Sequence, residues 1–119
     1  MKALLIAAHG SRKAAANAEI AELAAAIAEI AGPHFERVES AFLQLAEPLI
    51  PEVLSRLVDA GADEIVVFPF FIAAGSHVRA DIPAIVDAAR KAHPQVKLRV
   101  APHLGALDGI ARFILSAVV

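Results

Sequence analysis

The strongest constraint on this chain lies at its start, where Ala3 to Ala8 form an unbroken apolar run that stops abruptly at His9-Gly10-Ser11. A strand with no polar alternation has no face to give to water, so it must be covered on both sides, as a central strand of a parallel sheet is. Parallel neighbours in turn require crossovers, and the sequence supplies them. Ile20, Leu23, Ile27 and Ile30 recur at helical spacing, with Ser11 or a neighbour placed to cap the start and Gly32-Pro33 to stop the end. A second apolar stretch, Val38 to Leu45, ends at Glu47-Pro48, whose proline presets the first turn of a helix over about Leu49 to Ala60.

After Gly61, Glu64 to Phe71 is nearly all β-branched and aromatic, as suits a central parallel strand, with Pro69 at its rim. The small-residue segment Ala73 to His77 reads as a loop. Asp81-Ile82-Pro83 opens a helix that Lys91, His93 and Pro94 close. Val96 to Val100 alternates with Lys97 and Arg99, the pattern of an edge strand, and a last helix runs from about Leu104-Gly105 to the end. The β-α order, four times over, predicts an α/β fold: an open parallel four-stranded sheet with helices on both faces and right-handed crossovers. At 119 residues it forms one domain, residues 1–119.

Composition narrows the function. Hydrophobic residues make up 58% and charged residues 20%, which excludes a disordered chain. No uncharged run approaches the ~20 residues that cross a bilayer, and Met1 to Ala8, which runs directly into His9-Gly10-Ser11-Arg12 and not into a small-residue cleavage site, reads as a buried strand and not as an export signal, so a soluble, cytoplasmic protein with no membrane partner is expected. A net charge of −2 with neither Trp nor Tyr offers nucleic acid neither a basic stripe nor a stacking platform. Without cysteine, a bound metal must use imidazole, carboxylate or backbone oxygen.

In open parallel sheets the ligand crevice lies beyond the carboxyl ends of the strands, where strand order reverses. His9, Glu47, Gly75-Ser76-His77 and His103 each follow one of the four strands. His9 ends an apolar strand, where an unpaired ring is costly unless a partner or cleft receives it. His77 ends a loop in which Gly75 lets the backbone approach a ligand. Glu47 reads either as a helix-start charge or as a proton acceptor or auxiliary ligand. His34 and His93 read as surface residues at helix ends, and His103 as a helix-entrance residue. Two imidazoles and a carboxylate over one rim suit a borderline divalent ion such as Co²⁺, Ni²⁺, Fe²⁺ or Zn²⁺. Arg12 and Arg79 stand near helix starts and can pair with carboxylates, or be solvated.

Three segments carry a resemblance: Leu4 to Arg12 (LLIAAHGSR), Ala41 to Pro48 (AFLQLAEP), and Val67 to His77 (VFPFFIAAGSH) followed by Asp81-Ile82-Pro83. Together, in order and at strand ends, they resemble the small class II tetrapyrrole chelatases of the short CbiX-like sirohydrochlorin cobaltochelatase type. The resemblance covers nearly the whole chain. It implies a flavodoxin-like chelatase half-unit that inserts Co²⁺ into sirohydrochlorin without ATP, on the route to cobalamin. The divalent metal is then a substrate, and no organic cofactor is expected.

The resemblance further implies that His9 binds the metal and accepts a pyrrole proton, that His77 is the second metal ligand, and that Glu47 and the loop Ile72, Ala73, Ala74, Gly75, Ser76 and His77 meet the tetrapyrrole. Arg12 and Arg79 are expected at its carboxylates, and Phe70, Phe71 and Ile72 over its ring face or in the core. Where some relatives carry a further histidine, this chain has Ala74. Longer relatives resemble two such units in tandem, so a homodimer is expected. The alternatives are the same chemistry with Fe²⁺ or Ni²⁺, or a metal- or tetrapyrrole-binding protein without turnover. A phosphoryl-transfer reading of His9-Gly10 ranks below these, because Ala8 stands where a phosphate pocket needs an arginine.

Overall fold

A computed structural model describes residues 1–119. Four parallel strands, β1 (Lys2–Ala8), β2 (Arg37–Phe42), β3 (Glu64–Pro69) and β4 (Lys97–Val100), form one sheet in the order β2-β1-β3-β4. Helices α1 (Ala14–Ile30), α2 (Ile50–Asp59) and α3 (Ile82–Ala92) make the crossovers, and α4 (Ile110–Val118) follows β4. The expected open, parallel α/β sheet is the one observed, with β4 at an edge. No helix is long and apolar enough to cross a membrane.

The order places the reversal between β1 and β3: the chain steps from β1 outward to β2, then returns across β1 to β3. Both strands are anchored deeply. Ala3, Leu5 and Ala7 of β1 and Ile65 and Val67 of β3 share one face, where α2 and α3 bury Ile50, Val53, Leu54, Leu57, Ile82 and Val86. Ile6, Val66 and Phe42 are buried on the opposite face, which α1 shares. The alanine-rich α1 buries only Ala24. Small side chains let that helix lie close to the sheet while contributing little apolar area of their own.

Several boundaries differ from expectation. β2 and β3 end at Phe42 and Pro69 rather than at Leu45 and Phe71: the last paired residues against β1 are Ala8 with Phe42 and Ala7 with Pro69, closed by Leu43 N–H to Ala8 O at 2.9 Å and Phe70 N–H to Ala7 O at 2.8 Å. Pro48 does not open α2; the helix begins at Ile50, with Pro51 in its first turn. Ser11 does not cap α1 through a helical N–H. The cap position is Lys13, whose N–H bonds the Ser11 hydroxyl at 3.0 Å. The expected last helix is split into a 3₁₀ turn, Leu104–Ala106, and α4.

Candidate metal centre

The site is assembled by three loops that leave the carboxyl edge of the sheet. The turn after β1 is fixed from two sides. Gly10 has φ +96°, a left-handed conformation that side chains resist, and a Cβ there would stand 1.8 Å from the Gln44 carbonyl oxygen. Asn17, one turn into α1, clasps the Ser11 backbone: its Oδ1 accepts from Ser11 N–H at 2.9 Å and its Nδ2 donates to Ser11 O at 2.8 Å.

The segment after β2 runs alongside this turn, with Leu43 N–H donating to Ala8 O and Gln44 N–H to His9 O, at 2.9 and 3.1 Å. Leu45 is the one non-glycine residue with positive φ, at 67°, and such backbone persists only where surrounding contacts hold it. The third loop, after β3, ends in a wide helical turn, His77–Asp81, of π-helical form, that runs directly into α3. Ile82, fully buried, anchors it from below.

These loops bring His9 and His77 face to edge across the β1/β3 reversal, with ring centroids 4.8 Å apart and planes at 67°. Both rings are partly exposed. Each is oriented through one nitrogen. His9 Nδ1 lies 3.0 Å from Gly10 O, which fixes the proton on Nδ1 and leaves the lone pair on Nε2. The Gln44 amide nitrogen donates to that Nε2 at 3.0 Å. His77 Nδ1 lies 2.7 Å from Asp81 Oδ2. A carboxylate on one ring nitrogen fixes the ring and orients the other nitrogen toward an ion.

The carboxylate expected to complete a ligand set does not join this pair. Glu47 is exposed and makes no hydrogen bond or ion pair, and no group of three or more His, Asp or Glu side chains is disposed around one ion position. Two imidazoles with open positions can take an ion and give it up, whereas four protein ligands would retain it.

The flanking residues sort as follows. Ile72, Ala73, Gly75 and Ser76 are exposed and Ala74 half-buried on the loop leading to His77. Arg79 Nε donates to Ala74 O at 2.9 Å, bracing that loop. Arg12 is exposed and unpaired. Phe71 packs against the core, while Ile72 projects into solvent. His34 is exposed, His103 precedes the 3₁₀ turn, and His93 lines a cavity of about 400 Å³ between α2 and α3, away from the imidazole pair. The pair itself stands on an open rim. Sequence reasoning missed Gln44, Asp81 and Asn17. Asp81, four residues after His77, was the most accessible of these, because that spacing puts both on one side of a helical turn.

A family model described as CbiX matches residues 3–119. Among curated relatives, the sirohydrochlorin cobaltochelatase of Methanopyrus kandleri is 35% identical over 72% of this chain and 59% of its own length, and that of Sulfurisphaera tokodaii is 30% identical over 99% and 92%. The chloroplastic sirohydrochlorin ferrochelatase of Arabidopsis thaliana is 34% identical over 86% of this chain and 44% of its own length. The chain spans 59%, 58% and 64% of the first three relatives it matches. Of solved structures, a CbiX protein from Marinobacter aquaeolei VT8 superposes with a TM-score of 0.81 at 29% identity, over 99% of this chain and 94% of that one. The sirohydrochlorin chelatase SirB from Bacillus subtilis subspecies spizizenii, in complex with cobalt, gives 0.77 at 28%, over 97% of this chain and 48% of SirB.

Proposed function

The chain belongs to the CbiX family, and from that premise we propose that it is an ATP-independent sirohydrochlorin metal chelatase, a lyase that inserts Co²⁺ in cobalamin biosynthesis. The observation that carries the reading is the meeting of His9 and His77, 68 positions apart in the chain, with ring centroids 4.8 Å apart at the strand reversal. Cobalt is favoured by the names of the archaeal relatives and by the cobalt complex of SirB. Fe²⁺ is the second reading, supported by the plant ferrochelatase relative and by a SirB structure with Fe³⁺.

In this reading His9 Nε2 and His77 Nε2 hold the incoming ion after it displaces the Gln44 amide. The macrocycle lies over the rim against Ile72 and the loop to Ser76, its carboxylates toward Arg12 and Arg79. Insertion breaks two pyrrole N–H bonds, forms metal–nitrogen bonds in their place and releases two protons. Once the ion has moved to the ring, the freed His9 Nε2 takes one proton, the general-base role a neutral imidazole lone pair can fill. Glu47 accepts or relays the other to solvent. Asp81 holds His77 in place throughout, and the exchange of one set of nitrogens for another needs no nucleotide.

The same rim, open to solvent on the single chain, favours a second copy that walls in the macrocycle. A chain that covers 48% of SirB fits that arrangement. Anaerobic insertion assays that follow the absorbance of excess sirohydrochlorin with Co²⁺, Fe²⁺ and Ni²⁺ test the proposal. Conversion of many equivalents, fastest with Co²⁺ and abolished in His9→Ala, is expected. A stoichiometric spectral shift without turnover, or a His9→Ala rate within about twofold of the original, would overturn it.

A further inference from the structure

Leu45, at φ +67°, stands apart from the other left-handed residues, Gly10, Gly32 and Gly61, which are all glycine. Glycine takes that conformation without the steric penalty that a Cβ brings, and asparagine takes it more readily than leucine does. A turn that needed the conformation alone would be better served by either. Packing does not account for the leucine, because Leu45 is 51% exposed and belongs neither to the core nor to the residues packed against it. A large apolar side chain is therefore held in a strained backbone where the fold makes little use of it, and such positions gather at ligand-binding sites.

The surroundings of Leu45 say which ligand. It follows Gln44, whose backbone N–H meets His9 O at 3.1 Å and whose side-chain amide meets His9 Nε2 at 3.0 Å. Its Cα is thus ~3.8 Å from that of a residue touching the nitrogen assigned to the ion. β1 runs between β2 and β3 in the sheet, so the loops after β2 and β3 flank the His9 turn on opposite sides. Each carries one large apolar side chain left in water, Leu45 on the first and Ile72, 67% exposed, on the second. A tetrapyrrole is a flat disc with apolar faces and carboxylates at its edge, and an ion enters it through one face. Arginines can hold the edge, but the face needs apolar support on both sides of the ion.

We propose that Leu45 is a substrate-binding residue that, opposite Ile72, seats one face of the macrocycle over the His9–His77 pair. This rests on the chelatase reading above and adds to it a contact on the β2 side of the site. Covering the exposed half of a leucine side chain is worth roughly a tenfold change in affinity.

Initial rates of Co²⁺ insertion by the full chain at varied sirohydrochlorin test it, with Co²⁺ affinity measured separately by calorimetry. Leu45→Asn keeps the left-handed turn and removes the apolar contact, Leu45→Met keeps the contact, and Ile30→Asn is the control at an exposed apolar residue of α1 (83% exposed). Leu45→Asn is expected to raise KM for sirohydrochlorin about tenfold, with kcat and Co²⁺ affinity held within about twofold and Tm unchanged or raised. Leu45→Met is expected to recover most of the loss, and Ile30→Asn to leave KM as it was. A Leu45→Asn KM within about twofold of the original overturns the assignment. Equal losses in Leu45→Asn and Leu45→Met overturn it as well, because the position would then act through its backbone, and so does a Leu45→Asn defect that falls on Co²⁺ affinity, which would make Leu45 a support for Gln44. An original chain that converts no sirohydrochlorin overturns the chelatase reading itself, a result distinct from any difference among the variants.

Discussion

Replacing Gly10 with alanine tests how the turn that carries His9 is held. Gly10 and Gly61 have nearly the same left-handed backbone, φ +96° and +102°, but different surroundings: nothing lies within 4 Å of a Cβ at Gly61, whereas at Gly10 the Gln44 carbonyl oxygen would be 1.8 Å away. Gly61→Ala therefore costs only the conformational penalty, ~1–2 kcal/mol. Gly10→Ala carries that penalty and also drives the Gln44 backbone back by roughly 1 Å or more, because packed interiors do not tolerate such overlap. That retreat breaks the Gln44 N–H to His9 O bond and pulls the Gln44 amide from His9 Nε2.

At ~0.5–1.5 kcal/mol per hydrogen bond, the total for Gly10→Ala is about 3–4 kcal/mol. For a domain of this size the expected fall in Tm is about 10–15 °C, against about 5 °C for Gly61→Ala. With neither Trp nor Tyr in the chain, melting is followed by far-UV circular dichroism. Equal losses in the two variants would refute the claim that the Gln44 loop is locked against the His9 turn.

Asp81→Asn removes the charge that orients His77 and is expected to weaken Co²⁺ binding by ~10–100-fold with little change in Tm, since Asp81 is half-exposed; a calorimetric titration beside a melt checks both. Gln44→Ala frees the His9 lone pair from a competing donor and is expected to tighten Co²⁺ binding by up to ~10-fold, the worth of one neutral hydrogen bond; weaker binding in the same titration would show that Gln44 helps hold the ion. Ile82→Ala empties a fully buried site beneath the His77–Asp81 turn and is expected to cost ~2–5 kcal/mol in urea unfolding.

The fold was legible because its central strands are unambiguous. Ala3 to Ala8 and Ile65 to Phe68 have no polar face, and Gly and Pro punctuate the helices between them. What the sequence did not show depended on tertiary contacts. Pro48 reads locally as the start of a helix, yet its carbonyl is used by Phe42 N–H, and α2 starts two residues later. Asn17 reads as a solvated helix residue, but its amide clasps Ser11 from six positions away.

In the site, His9 and His77 could be placed from strand ends alone, because topology dictates where those ends meet. Gln44 could not, since its role follows from the path of the loop after β2 and from the left-handed Leu45. Glu47, attractive by position, is turned to solvent, while a carboxylate does reach the site from Asp81.

The central claim is that His9 and His77 bind one divalent ion together. Anaerobic Co²⁺ titration followed by the visible ligand-field spectrum and by calorimetry tests it most directly, on the original chain and on His9→Ala, His77→Ala and His93→Ala. One ion per chain with imidazole-type bands is expected, lost alike in the first two variants and unchanged in the third. Saturation that survives removal of either His9 or His77 would contradict the account.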